Sequence, residues 1–139
     1  VKQMNAILSI KPQFVREIVA GRKIYEFRKK GFKKHVKKIY VYASSPICRI
    51  VGEFKLGQIL EGKPEDIWTL TNKDAGISKE YFDDYYFNKE IAFALEIKSF
   101  IEYEKPINPY KALSHFSPPQ SFCYVGNELL EMNGNSFFS

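Results

Sequence analysis

The sequence of 139 residues predicts a small α+β domain, barrel-like, with five or more strands and two or three short helices. Three observations carry that expectation. Short runs of β-branched and aromatic residues recur along the chain, bounded by Gly, Pro and Ser. Only a few stretches space their apolar residues as a helix does. Alternating strand–helix–strand units are absent after the first helix, which argues against a doubly wound parallel sheet.

The elements run in order. Asn5 to Ile10 is short, apolar and bounded by Lys11-Pro12, and reads as a strand. Pro12 fits the first turn of a helix, where its missing N–H is harmless. Phe14, Val15, Ile18 and Val19 recur at helical spacing, and Gly21 sits where a left-handed C-terminal cap belongs. Residues 22–28 hold the β-formers Ile24, Tyr25 and Phe27 and read as the next strand. A basic loop, 29–37, contains Gly31. The strand KIYVYA, Lys38 to Ala43, ends at Ser44-Ser45-Pro46. Ile47 to Leu60 is mostly β-forming, and Gly52 and Gly57 within it predict a bulge or a close backbone approach. Pro64 opens a short helix with Ile67, Trp68 and Leu70, and a second helix runs from Ser78 to Tyr86. Its aromatics (Tyr81, Phe82, Tyr85, Tyr86) read as core packing rather than a stacking platform. Ile91 to Ile101 is the last clear strand, and Pro106, Pro109, Pro118 and Pro119 break up the C-terminal stretch.

One domain is expected over residues 4–132, with 1–3 as upstream residues before Met4 and 133–139 as a turn-rich flexible tail. No apolar run approaches the roughly 18–20 residues that cross a bilayer, and no long apolar leader opens the chain. No membrane partner is therefore expected. Cys48 and Cys123 stand alone, with no paired spacing and with His35 and His115 near neither, so a structural metal is rejected and no cofactor is expected. Two lone cysteines fit a reducing, cytoplasmic compartment, though sequence does not exclude a disulfide.

The net charge of +5 is unevenly spread. Residues 1–55 hold 14 Lys/Arg against Glu17, Glu26 and Glu53, a balance of +11, and the remainder balances at −6. Positive charge gathered in one half points to an anionic partner, commonly nucleic acid; the alternative is a solvated basic face beside an acidic one. Nine basic residues and one acid lie between Arg22 and Lys38.

Three segments of that half cluster: Ser9-Ile10-Lys11-Pro12, the run Gly21 to Arg28, and Tyr42-Ala43-Ser44-Ser45-Pro46. On a strand over 22–28, Glu26 and Arg28 share a face with Arg22 and Ile24, while Lys23, Tyr25 and Phe27 take the other. A bulge at Gly21 or Arg22 would bring Lys23 round to the same mouth. Glu26 and Arg28 would then hold each other or a shared ligand. The bland alternative is a surface pair worth under about 1 kcal/mol.

The pattern G-x-K-x-x-E-x-R, after ILSIKP, resembles the ASCH domain, a branch of the PUA-like superfamily. MNAILSIKP, GRKIYEFR, KIYVYASSP, IVGEF and PPQSFCYV fall in the order expected for small prokaryotic ASCH proteins, from Met4 to about Val125. The resemblance implies a PUA-like β-barrel of about five to six strands with short helices packed around it, a cleft lined by the motif, and a role in RNA or nucleotide metabolism. It carries over to Lys23, Glu26 and Arg28, and more weakly to Ser9, Lys11, Ser44 and Ser45.

Two chemistries are open. As a binding module for RNA or a nucleotide, the protein would use Lys11, Lys23, Tyr25, Glu26, Arg28, Ser44 and Ser45 in the cleft. Lys29, Lys30, Lys33 and Lys34, with Lys37 and Lys38, would form the electrostatic approach. Tyr25, Tyr42 or Phe32 would stack on an unpaired base, and Arg28 offers a planar fork to a phosphate or base edge. As a hydrolase of RNA or of a modified nucleoside, it would use Lys23 as base or nucleophile and Glu26 as proton shuttle. Some ASCH relatives remove the acetyl group from acetylated cytidine and others are described as ribonucleases. The amidohydrolase branch has a threonine where Glu26 stands here, so that branch's nucleophile is missing. A third class, an adaptor using the acidic, aromatic second half, has no specific signal.

Overall fold

The computed structural model describes residues 4–126; residues 127–139, including the expected tail and the end of the expected domain, lie outside the described residues, as do 1–3. The chain runs β1 (Met4–Ile10), α1 (Pro12–Val19), β2 (Tyr25–Arg28), β3 (Val36–Ala43), β4 (Arg49–Gly62), α2 (Pro64–Thr71), a single 3-10 turn (Asn72–Asp74), α3 (Lys79–Tyr85), β5 (Ala92–Ile107), α4 (Pro109–Ala112) and β6 (Phe122–Val125). The six strands form one sheet in the order β2-β5-β4-β3-β1-β6. Only β1 and β3 run parallel; the other neighbours are antiparallel.

Local chemistry accounts for the elements. Pro12 and Pro64 each open a helix, and α1 buries Val15 and Ile18. The Ser78 hydroxyl accepts from the Tyr81 N–H and starts α3. Gly21 takes a φ of 80°, the left-handed turn that lets the chain leave α1. In β4, a Cβ on Gly52 would stand 2.5 Å from the Ile101 carbonyl oxygen, so the predicted close approach is met, and the ladder to β5 slips in register there.

Among the described residues three buried clusters form the core. One joins β1, α1, β3 and β4 around Leu8, Ile39, Val41 and Phe54. A second, around Tyr40, Tyr42, Ile50 and Tyr103, lies toward α4 and β6. The third packs Phe27, Ile67, Phe82 and Tyr86 between β2, β5 and the helices.

The α+β expectation holds, and the closed barrel does not. The sheet ends at β2 on one side and β6 on the other. Each of those strands has four residues, and the Arg28 side chain crosses between the two ends to Ser9 and Ser121 instead of a strand ladder. Strand bounds also shift, and one strand is added. The strand expected over 22–28 begins only at Tyr25, because Lys23 makes an isolated bridge to Ala75. The strand expected to end at Ile101 continues to Ile107, with Ser99 at a φ of 52° and Pro106 inside it. Phe122–Val125 adds a strand beyond the one read as last, paired to β1.

Candidate functional site: a cleft between the two ends of the sheet

Where β2 and β6 fail to close the sheet, a cleft of about 740 Å³ opens. That is the size range of small-molecule and nucleotide sites. Among the described residues its basic lining is Lys11, Lys23, Arg28, Lys29 and Lys30, and its one acid is Glu26. Tyr42, Ser44 and Ser45 line it from the end of β3, Tyr81 and Tyr85 from α3, and residues 118–121 from the segment before β6.

The floor is a buried ion triad. Lys23, Glu26 and Arg28 are 2%, 7% and 7% exposed. Glu26 stands between two cations, with Oε1 3.5 Å from Lys23 Nζ and Oε2 3.0 Å from Arg28 Nη2. Lys23 also donates to the Ala75 carbonyl at 2.9 Å and lies over the rings of Phe27 and Phe14, 4.9 and 5.4 Å from their centroids. Burial pulls the Lys23 ammonium below its ordinary range, and Glu26 opposes that shift. Because the strand starts late and Gly21 turns the chain, Lys23 reaches the same mouth as Glu26 and Arg28, while Arg22 stays outside on Glu17 at 2.8 Å. The shared face expected for Arg22 is therefore corrected, and Lys23 is brought round by the turn after α1, ahead of the strand, rather than by a bulge within it.

Arg28 is the keystone of the two sheet ends. Its Nη2 donates to the Ser9 carbonyl at 2.7 Å, and Nη1 reaches Ser121 Oγ at the long distance of 3.5 Å. Its Nε is buried and has no hydrogen-bond partner among the described residues. The buried Tyr86 hydroxyl donates to the Arg28 carbonyl at 2.8 Å, which fixes the end of β2. Ser9 completes the frame: its N–H donates to the Ser121 carbonyl and its hydroxyl to the Pro119 carbonyl, at 3.2 and 2.7 Å.

The sequence-selected residues thus divide. Lys11, Lys23, Glu26, Arg28, Lys29, Lys30, Tyr42, Ser44 and Ser45 come together around the cleft. Tyr25 packs against the Phe27–Phe82 cluster, and Phe32 packs edge-on to Phe122 with ring centroids 4.7 Å apart. Lys33 and Lys34 lie outside the lining; both backbone N–H groups donate to the Tyr124 hydroxyl, at 2.9 and 3.2 Å. Lys38 stands on β3 and pairs with Glu53 at 3.2 Å. Sequence reasoning missed Tyr81, Tyr85 and Tyr110 as lining residues. The four-residue spacing of Tyr81 and Tyr85, offset by one from Phe82 and Tyr86, was the available signal. Tyr42 and Tyr110 join hydroxyl to hydroxyl at 3.0 Å, and burial pushes the Tyr42 phenol up. Among the described residues no group of His, Cys, Asp or Glu is placed to hold a metal ion, and no helix is long and apolar enough to cross a membrane.

Comparison with known proteins places this architecture. The family model described as "Domain of unknown function (DUF365)" matches residues 8–115. An "ASCH domain-containing ribonuclease" of Zymomonas mobilis is 28% identical over 131 residues, covering 89% of this chain and 86% of that one. The large ribosomal subunit protein uL22 of Ureaplasma parvum is 36% identical over 93 residues, 65% of this chain but only 29% of that protein. The crystal structure of ASCH from Zymomonas mobilis matches with a TM-score of 0.84 at 26% identity, covering 92% of this chain and 94% of that one. The N-terminal domain of Staphylothermus marinus McrB, at a TM-score of 0.59 and 15% identity, shares the fold alone. The chain belongs to the DUF365 family and is an ASCH domain protein of the PUA-like superfamily.

Proposed function

We propose that this domain binds RNA, taking an unpaired stretch into the cleft between β2 and β6. The observation that carries the reading is Arg28: a buried guanidinium at the cleft floor with an unengaged Nε and a long Nη1 contact. Donors of that kind suit a phosphate oxygen or a base edge. The triad of Lys23, Glu26 and Arg28 sums to one net positive charge, and exposed Lys11, Lys29 and Lys30 add to it at the rim. Lys33, Lys34 and Lys37 extend the positive field beyond the cleft, where backbone phosphates would be drawn in without sequence readout. The Zymomonas relative is named a ribonuclease, which supports RNA as the partner class.

The test is fluorescence anisotropy with a labelled 12-nucleotide single-stranded RNA. Arg28→Lys keeps the charge and removes the fork; it should weaken binding at least tenfold while the circular dichroism spectrum stays that of the parent. Equal affinity in parent and variant would refute the cleft as the site.

A second reading is cleavage of the bound RNA. Lys23, held below its ordinary pKa by burial at the cleft floor, is the group suited to take a proton, and Glu26 holds it in place. Labelled RNA cut by the parent and left intact by Lys23→Met would support it. Product that survives Lys23→Met would assign the activity elsewhere.

A further inference from the structure

Two tyrosines on one face of α3 line the cleft, and each is capped by a different exposed lysine. Tyr81 and Tyr85 are one helical turn apart and half-buried. Lys11, from the β1–α1 junction, places its ammonium 5.6 Å from the Tyr81 ring centroid. Lys29, from the end of β2, places its own 4.4 Å from the Tyr85 centroid. Both rings pack edge-on against other aromatics: Tyr81 against Phe14 at 5.0 Å and Tyr85 against Tyr86 at 4.8 Å. Phe82 and Tyr86, on the neighbouring face, hold the helix in the core.

We infer that the cleft takes two successive unpaired nucleotides, one base on Tyr81 and one on Tyr85, with Lys11 and Lys29 each passing to a phosphate. The inference rests on the RNA reading above and gives it a register. Four residues of helix rise about 6 Å, which exceeds the roughly 3.4 Å per nucleotide of a stacked strand. Two bases in that register are splayed, each on its own ring, as single-stranded RNA commonly is in its protein sites. The lysines decide when the rings are open. An exposed ammonium on a ring is held more weakly than a stacked base, and a phosphate competes for the same ammonium. An incoming strand therefore draws each lysine off its ring and uncovers the face that the base then occupies. Every base has a π-face, so the platform counts nucleotides without choosing among them.

The probes are 5′-phosphorylated mono-, di- and trinucleotides of uridine, with affinities from isothermal titration calorimetry. The expected result is a gain of about tenfold or more from mono- to dinucleotide, the worth of one further stacked base, and under threefold from di- to trinucleotide. Tyr81→Leu and Tyr85→Leu keep apolar bulk and remove the π-face; each should erase the step from mono- to dinucleotide, with thermal unfolding confirming the fold. Equal affinity for mono- and dinucleotide, or an unchanged ratio in both variants, overturns the two-nucleotide register. The 12-nucleotide RNA separates the two readings: if it binds while the ratio is flat, only the register falls, and if it does not bind, the RNA reading falls and takes the register with it.

Discussion

Glu26→Gln is the substitution for which the structure sets the largest expected effect. The carboxylate bridges two cations whose side chains, like its own, are almost wholly buried: 1% exposed for Lys23, 9% for Glu26 and 8% for Arg28. Glutamine keeps the shape and leaves two positive charges in the floor with no anion. Removing one partner of a buried pair costs about 3–5 kcal/mol, because the remaining charge stays desolvated. For a domain of this size the melting temperature should fall by about 10–20 °C. The loss also depends on pH, with a definite sign. The folded pKa of Lys23 already lies below the 10.5 of the unfolded chain, since burial outweighs the help from Glu26. Between those two values the unfolded chain binds the extra proton, so the contribution of this group to stability falls as pH falls through the window. Glu26→Gln removes the opposing charge, drives the folded pKa lower still and stretches the window toward neutrality. The deficit of the variant should be largest near neutral pH and shrink as pH rises toward 10.5, leaving the part due to the lost Glu26–Arg28 pair. Urea unfolding at several pH values measures this directly. A control is Lys23→Met, which leaves Glu26 with Arg28 and should cost clearly less. A loss below about 1 kcal/mol for Glu26→Gln, or one independent of pH, would refute the buried-triad account.

Two further outcomes rest on named contacts. Tyr86→Phe deletes the hydroxyl that donates to the Arg28 and Phe93 carbonyls, at 2.8 and 3.3 Å, inside the core; urea unfolding should show a loss of about 1–3 kcal/mol, and RNA affinity should drop with it because Arg28 loses its anchor. Replacing Lys33 and Lys34 together with alanine leaves the cleft lining and the backbone bonds to Tyr124 in place and removes only the Lys34 ammonium 5.0 Å from the Tyr124 ring centroid; the salt dependence of RNA binding should flatten by about 0.7 for each phosphate no longer neutralised, while urea unfolding should show a loss of no more than about 1 kcal/mol.

Much of the fold was legible in the sequence because its signals are local. Pro12, Pro64 and Ser78 open helices by backbone chemistry that needs no tertiary context, and Gly21 ends α1 for the same reason. The open ends of the sheet were not legible, because closure depends on whether two four-residue strands at opposite ends of the order pair with each other. Strand β6 was too short, and too close to Pro118 and Pro119, to stand out from a loop. The motif showed Lys23, Glu26 and Arg28 as a set, but simple alternation along a strand put Lys23 on the wrong face; the irregular stretch from Gly21 to Ile24 undoes that alternation. Tyr81 and Tyr85 failed for a different reason. An aromatic run on a short helix looks the same whether one face or two are buried, and only the packing of Phe82 and Tyr86 separates them.

The placement of the triad joins its structural cost to its proposed use. A buried ion set contributes little stability that well-packed apolar side chains would not, and often less. Here it stands where the sheet lacks the backbone ladder that would close it. A closed barrel would pair β2 with β6; in this chain the β1–β6 ladder ends at Leu8 and Phe122, and just past it the guanidinium from β2 donates to the Ser9 carbonyl. A strand N–H is fully engaged in its ladder, whereas a guanidinium has five donors, and Arg28 commits only some of them to the protein. Closing the gap with Arg28 therefore leaves one buried donor, Nε, without a partner among the described residues, on a side chain that lines the cleft. Glu26 offsets the cost of that burial by holding Arg28 in one orientation, and Lys23 restores the net positive charge that Glu26 would cancel. Under the proposed function each member has a distinct part: Arg28 contacts the nucleic acid, Glu26 orients Arg28, and Lys23 keeps the floor positive. That division explains why Arg28→Lys is expected to weaken binding with the fold intact, whereas Glu26→Gln is expected to strike stability first.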